Sequence, residues 1–171
     1  MKKTIIIGGT AIPLSASAGA LVHYKKQFGT EYTDEHKELK NLKEDAGAQA
    51  QKYAEISLRL LWAMARAADR AIEPFETWIA TKESAELFSA LSEAQTFFAS
   101  SLRGRNDSSE AGEAFTSERL MAQALICGLS VDDLDDMPLP MALDTIEAWC
   151  KVKGYTEEDA RQATQADYDA L

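Results

Sequence analysis

The chain has 171 residues, 46% of them hydrophobic, with nine glycines, four prolines and a net charge of -10. That apolar fraction at this length supplies a core and excludes a disordered polymer, and no apolar run reaches the ~18 residues of a membrane span. Residues 1–43 carry seven basic and four acidic groups, whereas residues 115–171 carry four and twelve, so the C-terminal part repels phosphate backbones.

The first 29 residues, MKKTIIIGGTAIPLSASAGALVHYKKQFG, hold the ingredients of a secretory signal: Lys2 and Lys3, an apolar run and an Ala16-Ser17-Ala18 step. Gly8, Gly9, Thr10 and Pro13 interrupt that run after only three strong apolar residues. A hairpin accounts for them better, with strands over 4–7 and 11–16, a turn at Gly8-Gly9, and Pro13 marking an edge. On this reading nothing is cleaved and the protein stays in the cytoplasm.

Helical spacing begins after Ser17, an N-cap, with Leu21, Tyr24, Lys25 and Phe28 at steps of three and four before Gly29 stops the helix. Thr33, followed by Asp34 and Glu35, is read as the cap of a polar helix reaching about Lys43. Residues 51–68 are the most amphipathic part of the chain. Tyr53, Ile56, Leu60, Leu61, Met64, Ala67 and Ala68 recur on one face, opposite Lys52, Glu55, Arg59 and Arg66. Pro74 opens a short helix bearing Phe75, Trp78 and Ile79, and a helix from Ser84 turns Leu87, Phe88, Leu91, Ala94 and Phe98 inward.

Periodicity is lost over residues 100–114, SSLRGRNDSSEAGEA, a linker composition. The expected organisation is therefore an N-terminal unit over 1–102, a linker over 103–114 and an acidic helical unit over 115–171. In the last unit Thr116 or Ser117 caps a helix with Leu120, Met121, Ala124 and Leu125 on one face, ended by Gly128. Ser130 and Asp133 have capping-box spacing. Pro138 and Pro140 then break the chain before a stripe of Leu143, Ile146, Trp149 and Cys150, ended by Gly154, and Thr156 with Asp159 starts a final helix. The fold class is mostly α: an α+β N-terminal unit with a small β-hairpin packed on helices, then a small all-α unit.

Chemistry is sparse. The chain has no nucleophile elbow, phosphate loop, H-E-x-x-H or G-x-G-x-x-G, and its two histidines, His23 and His36, are read as packing residues, so neither enzyme activity nor a cofactor is expected. Cys127 and Cys150 are read as buried thiols rather than a bridge or zinc ligands. Asp132, Asp133, Asp135 and Asp136 lack the order of a calcium loop and read as a solvated helix end. The stretch from Leu120 to Trp149 has a helix-turn-helix cadence, but its second helix would present those four aspartates to phosphates. Large apolar anchors remain: Tyr24, Phe28, Trp62, Phe75, Trp78, Phe97, Phe98 and Trp149, some of them available to a partner helix if not all are core.

The order of these features resembles a known family. TIIIGGTAIPLSASAG followed by LVHYKKQFGTEY is similar to the N-terminus of tail assembly chaperones of long-tailed bacteriophages, particularly those of Gram-positive hosts, and YAEISLRLLWAMARAAD followed by PFETWIA resembles the family's central helix and P-x-x-x-W segment. LMAQALICGLSVDDLDDMPLPMALDTIEAW and the ending ARQATQADYDAL resemble the part that such phages add to a minority of chains by ribosomal frameshifting. The resemblance implies a non-catalytic helper, absent from the finished virion, whose first unit coats and solubilises the tape measure protein and whose second recruits tail tube subunits. Partner-binding positions on this reading are Tyr24, Phe28, Trp78, Asp132, Asp133, Leu134 and Met137, and the hairpin, marginal alone, must pack on helices or on another copy, so a homo-oligomer is expected. Neither nucleic acid nor a membrane is an expected partner. The alternative is a small helical regulator, of phage or host, binding nucleic acid through its basic N-terminal part.

Overall fold

Ile5, Ile7, Ile12 and Leu14 face inward in alternation with outward-facing Ile6, Ala11 and Pro13 around Gly8-Gly9, and the segment folds as an antiparallel hairpin, β1 (Lys2–Ile7) and β2 (Thr10–Ser15). Ile5 stands opposite Ile12, and both glycines have the positive φ that a type I′ turn requires, 59° and 72°. The computed structural model describes residues 1–41, 46–102 and 116–154. The helices among them are α1 (Ala18–Phe28), α2 (Tyr32–Asn41), α3 (Ala46–Ala68), α4 (Phe75–Ala80), α5 (Ser84–Ser101), α6 (Ser117–Ile126), α7 (Val131–Asp136) and α8 (Leu139–Lys153). The protein is mostly helical, with the hairpin packed on helices.

Two apolar clusters organise the chain. In the larger, β2 lies on α3 and β1 on α5, and Ile5, Ile7, Ile12 and Leu14 meet Leu60, Leu61, Met64, Leu91 and Phe98. Edge-to-face rings join its elements: Phe28 lies 5.0 Å from Tyr24 and from Phe75, and 5.7 Å from Trp62. The second cluster unites Leu120, Ala124, Leu134, Ala142 and Ile146 with Ala18 and Val22 of α1. α1 therefore has apolar neighbours on two sides, α3 on one and α6 and α7 on the other.

Several expectations need correction. α2 starts at Tyr32, not after Thr33, because the Glu31 carbonyl accepts the Asp34 and Glu35 amides. The Thr33 hydroxyl makes no hydrogen bond. Tyr53 and Phe88 are exposed rather than core, since burial on α3 begins at Ile56, and α5 turns the expected Leu87, Leu91, Ala94 and Phe98 inward together with Ala90 rather than Phe88. Leu125 is likewise exposed, beside buried Ala124. Cys127 and Cys150 are free and only half-buried, and burial raises the Cys127 thiol above its ordinary value. The expected linker, the end of the polar helix at Lys43 and the final helix from Thr156 lie outside the described residues.

The caps at Ser17, Thr116 and Ser130 are in place, the last as a full capping box with Asp133. Leu61→Ala should cost about 2–5 kcal/mol in chemical denaturation, as buried leucines do, whereas Phe88→Ala should stay within about 0.5 kcal/mol. Equal losses would contradict this register of α5.

Candidate interaction site

Val131, Leu134 and Asp135 lie at i, i+3 and i+4 and so share one face of α7. Leu134 is completely buried against the second cluster, and Asp135, on the same face, is 4% exposed. A carboxylate in that position must be compensated, because desolvation penalises its charged form. Arg70, just past the end of α3, donates from Nε and Nη2 to Asp135 Oδ2 at 3.0 and 2.8 Å, and His23 Nε2 lies 2.9 Å from Oδ1. These hydrogen bonds to Asp135 are the main reason the Arg70 guanidinium is raised above its ordinary value. Arg70 also pairs with exposed Asp132.

The backbone is tied at the same place. Ser15 Oγ donates to the Asp135 carbonyl at 2.6 Å, and the Ala18 amide to the Met137 carbonyl at 2.8 Å. Gly19 is required by the closeness of α1 and α7: a Cβ there would lie 2.0 Å from Asp135 Oδ1 and 2.8 Å from its Cα. The reading of all four aspartates as a solvated helix end thus fails for Asp135. Its pairing joins residues far apart in sequence, which local spacing does not reveal. Two local signals did exist: an acidic residue in register with Leu134, and a glycine inside a helix.

Two more buried carboxylates organise the α1–α2 corner. Glu31 accepts from the Ser117 amide at 2.9 Å and its hydroxyl at 2.7 Å, fixing the start of α6. Glu35 is held by Tyr24, by Thr30 at 3.0 Å and by Arg59 at 2.5 Å. Burial pushes the Glu35 carboxyl up, but hydrogen bonds from Tyr24 and Thr30 and the Arg59 and Lys52 charges outweigh it, so the group sits below its ordinary 4.5.

The residues expected to bind partners separate into two kinds. Tyr24, Trp78 and Leu134 are buried, and Phe28 and Met137 half-buried, so in this chain their side chains serve its own packing. Asp132 and Asp133 are exposed, Asp133 being held below its ordinary value by the Ser130 hydroxyl and amide. None of the eight aromatic anchors is fully exposed. The apolar side chains at the surface are others: Ile6, Phe88, Leu125, Ile126, Met141 and Val152 among them. Two open grooves lie beside them, one of about 490 Å³ between α1 and α6, lined by Val22, Met121 and Leu125, the other of about 500 Å³ along α8.

No family model, curated protein or solved structure matches the chain. Among the described residues no group of three or more His, Cys, Asp and Glu is placed to hold a metal ion, and no helix is long and apolar enough to cross a membrane. Of the N-terminal lysines, Lys2 pairs with Asp136, Lys3 with Glu93, Lys25 with Glu118 and Lys37 with Asp34. What the geometry offers is apolar and acidic surface on a body held by three buried carboxylates.

Gly19→Ala and Arg70→Gln should each lower stability by about 1–3 kcal/mol, through overpacking and a lost charged hydrogen bond respectively, and both should raise amide exchange in α7. Normal α7 protection in both variants would contradict the docking described. Because the Glu35 carboxyl lies below its ordinary value, its ionised form stabilises the fold fully above pH 4.5 and loses that effect as pH falls through the folded-state value. Glu35→Gln should therefore be destabilised at pH 7 and approach the parent protein in acid; a difference independent of pH would exclude this role.

Proposed function

We propose that the chain is a non-catalytic tail assembly chaperone of a long-tailed bacteriophage, binding the tape measure protein and recruiting tail tube subunits. The observation that carries this reading is the order of the motifs along one chain: the hairpin with its following helix, the central helix with Pro74 to Trp78, and the acidic Leu120 to Trp149 segment. The physical role asks for little chemistry. A long helical client exposes apolar stripes that aggregate, and a binder covers them with apolar surface of its own. Several copies along one client raise the local concentration of whatever each copy also binds.

The surface supports such a role. Leu125 and Ile126 are 58% and 68% exposed at the end of α6, in the acidic part of the chain and next to the groove formed with α1. Asp132 and Asp133 stand at the surface of α7. This part of the chain is where the proposal places the tube-subunit contact. The nucleic-acid reading has less support, since the lysines named above are engaged by carboxylates and phosphates would compete with those pairs.

Co-expression with the tape measure protein should raise the soluble yield of that protein, and an unchanged yield would count against the chaperone reading. The double substitution Leu125→Glu and Ile126→Glu, on side chains outside both clusters, should reduce capture of tube subunits severalfold while leaving tape measure solubilisation intact. Loss of solubilisation with tube capture retained would reverse the assignment of the two partners.

A further inference from the structure

α8 has a second face that the other described elements leave largely uncovered. Ala142 and Ile146 are buried in the second cluster, while Met141, Thr145, Ala148 and Val152 point elsewhere. At about 100° per residue these four lie within about 60° of arc, at steps of four, three and four, the seam spacing of paired helices. Met141 is 56% exposed and Val152 85%. The Thr145 hydroxyl donates to the Met141 carbonyl at 2.8 Å and lies 4.0 Å from Met137 Sδ, so Thr145 is a half-buried member of the stripe. Small residues at the middle of the stripe, Thr145 and Ala148, allow a second helix to approach closely. Met141, Thr145 and Ala148 of the stripe, with Asp144 beside them, form one wall of the open groove of about 500 Å³, which Met1, Ser100 and Ser101 line from the other side.

Charge selects the occupant. Asp144 and Lys151 lie on the same flank of the stripe, one near each end, and both are exposed. We infer that this face pairs with the same face of a second copy of the chain, the two α8 helices running antiparallel about a two-fold axis between Thr145 and Ala148. In that arrangement Met141 packs against Val152 of the other copy, and the flank of one helix meets the same flank of the other, so each Asp144 faces a Lys151. A parallel pair would not bring these charges together. Lys151 keeps its intrahelical partner Glu147, 2.6 Å away, and gains a second carboxylate. One helix pair of this length buries less than the ~1,200 Å² of a standard interface, so the dimer is weak and depends on concentration. The inference does not depend on the chaperone reading and involves a different helix from the proposed tube-subunit contact.

Sedimentation equilibrium of the full chain, from low micromolar to millimolar protein, tests it. The parent should pass from monomer to dimer. Ala148→Arg should remain monomeric with an unchanged circular dichroism spectrum, because Ala148 is outside the core. Asp144→Lys and Lys151→Asp should each weaken self-association by about tenfold or more, since each creates two like-charge contacts. Mixing the two variants should restore the dimer, because both contacts in the mixed pair are again of opposite sign. A monomer at every concentration, a dimer indifferent to these substitutions, or a mixture no stronger than its components would each overturn the proposal. So would a monomeric parent that loses tape measure binding on Ala148→Arg, since the occupant would then be another protein's helix.

Discussion

The structure depends on a carboxylate that cannot face water. Asp135 shares its side of α7 with Leu134, so burying the leucine buries the acid as well. Its two oxygens must then be satisfied from other elements, and Arg70 and His23 do so from the end of α3 and from α1. Breaking such a set leaves an unpaired buried charge, which is costly, whereas a different packing cannot easily reproduce the geometry. The pairing thus adds orientation to a contact whose apolar part, Ala18 and Val22 against Leu134, is small.

Once α7 is placed, the rest of the C-terminal helices follow. Met137 accepts from the first amide of α1, Pro138 leads directly into α8, and Glu31 fixes the start of α6 from the opposite side. α1 becomes the shared element of both clusters. This explains its composition: small residues, Ala18, Gly19 and Ala20, where neighbours press closely, and Tyr24 and Phe28 toward the aromatic packing with Trp62 and Phe75.

Much of this was legible in the sequence where the cause is local. The Gly8-Gly9 turn, the caps at Ser17 and Ser130, and the stops at Gly29 and Gly154 are short-range chemistry, and each stands where spacing puts it. Periodicity located the helices but did not tell a covered face from an uncovered one. Tyr53, Phe88 and Leu125 fit apolar stripes and are exposed, because each lies at the margin of its stripe and tertiary packing decides where the stripe ends. The buried carboxylates were harder still. Glu31, Glu35 and Asp135 look like surface residues until partners such as Ser117, Arg59 and Arg70 are brought to them by the fold. Of the residues first expected to face a partner, Tyr24, Trp78 and Leu134 are buried and Phe28 and Met137 half-buried, because tertiary packing claims their side chains, whereas Asp132 and Asp133 stay at the surface of α7.

The central claim is that the acidic helices are docked on α1 as part of one packed body, so that the proposed contacts are presented from a common scaffold. Ala18 reports on this directly. As the first residue of α1 its amide has no intrahelical acceptor, and its partner is the Met137 carbonyl across the interface. Native-state hydrogen exchange at that single amide is the decisive measurement. The account predicts protection comparable to that of amides inside α3; exchange at the rate of an open helix end, with α3 still protected, would contradict it.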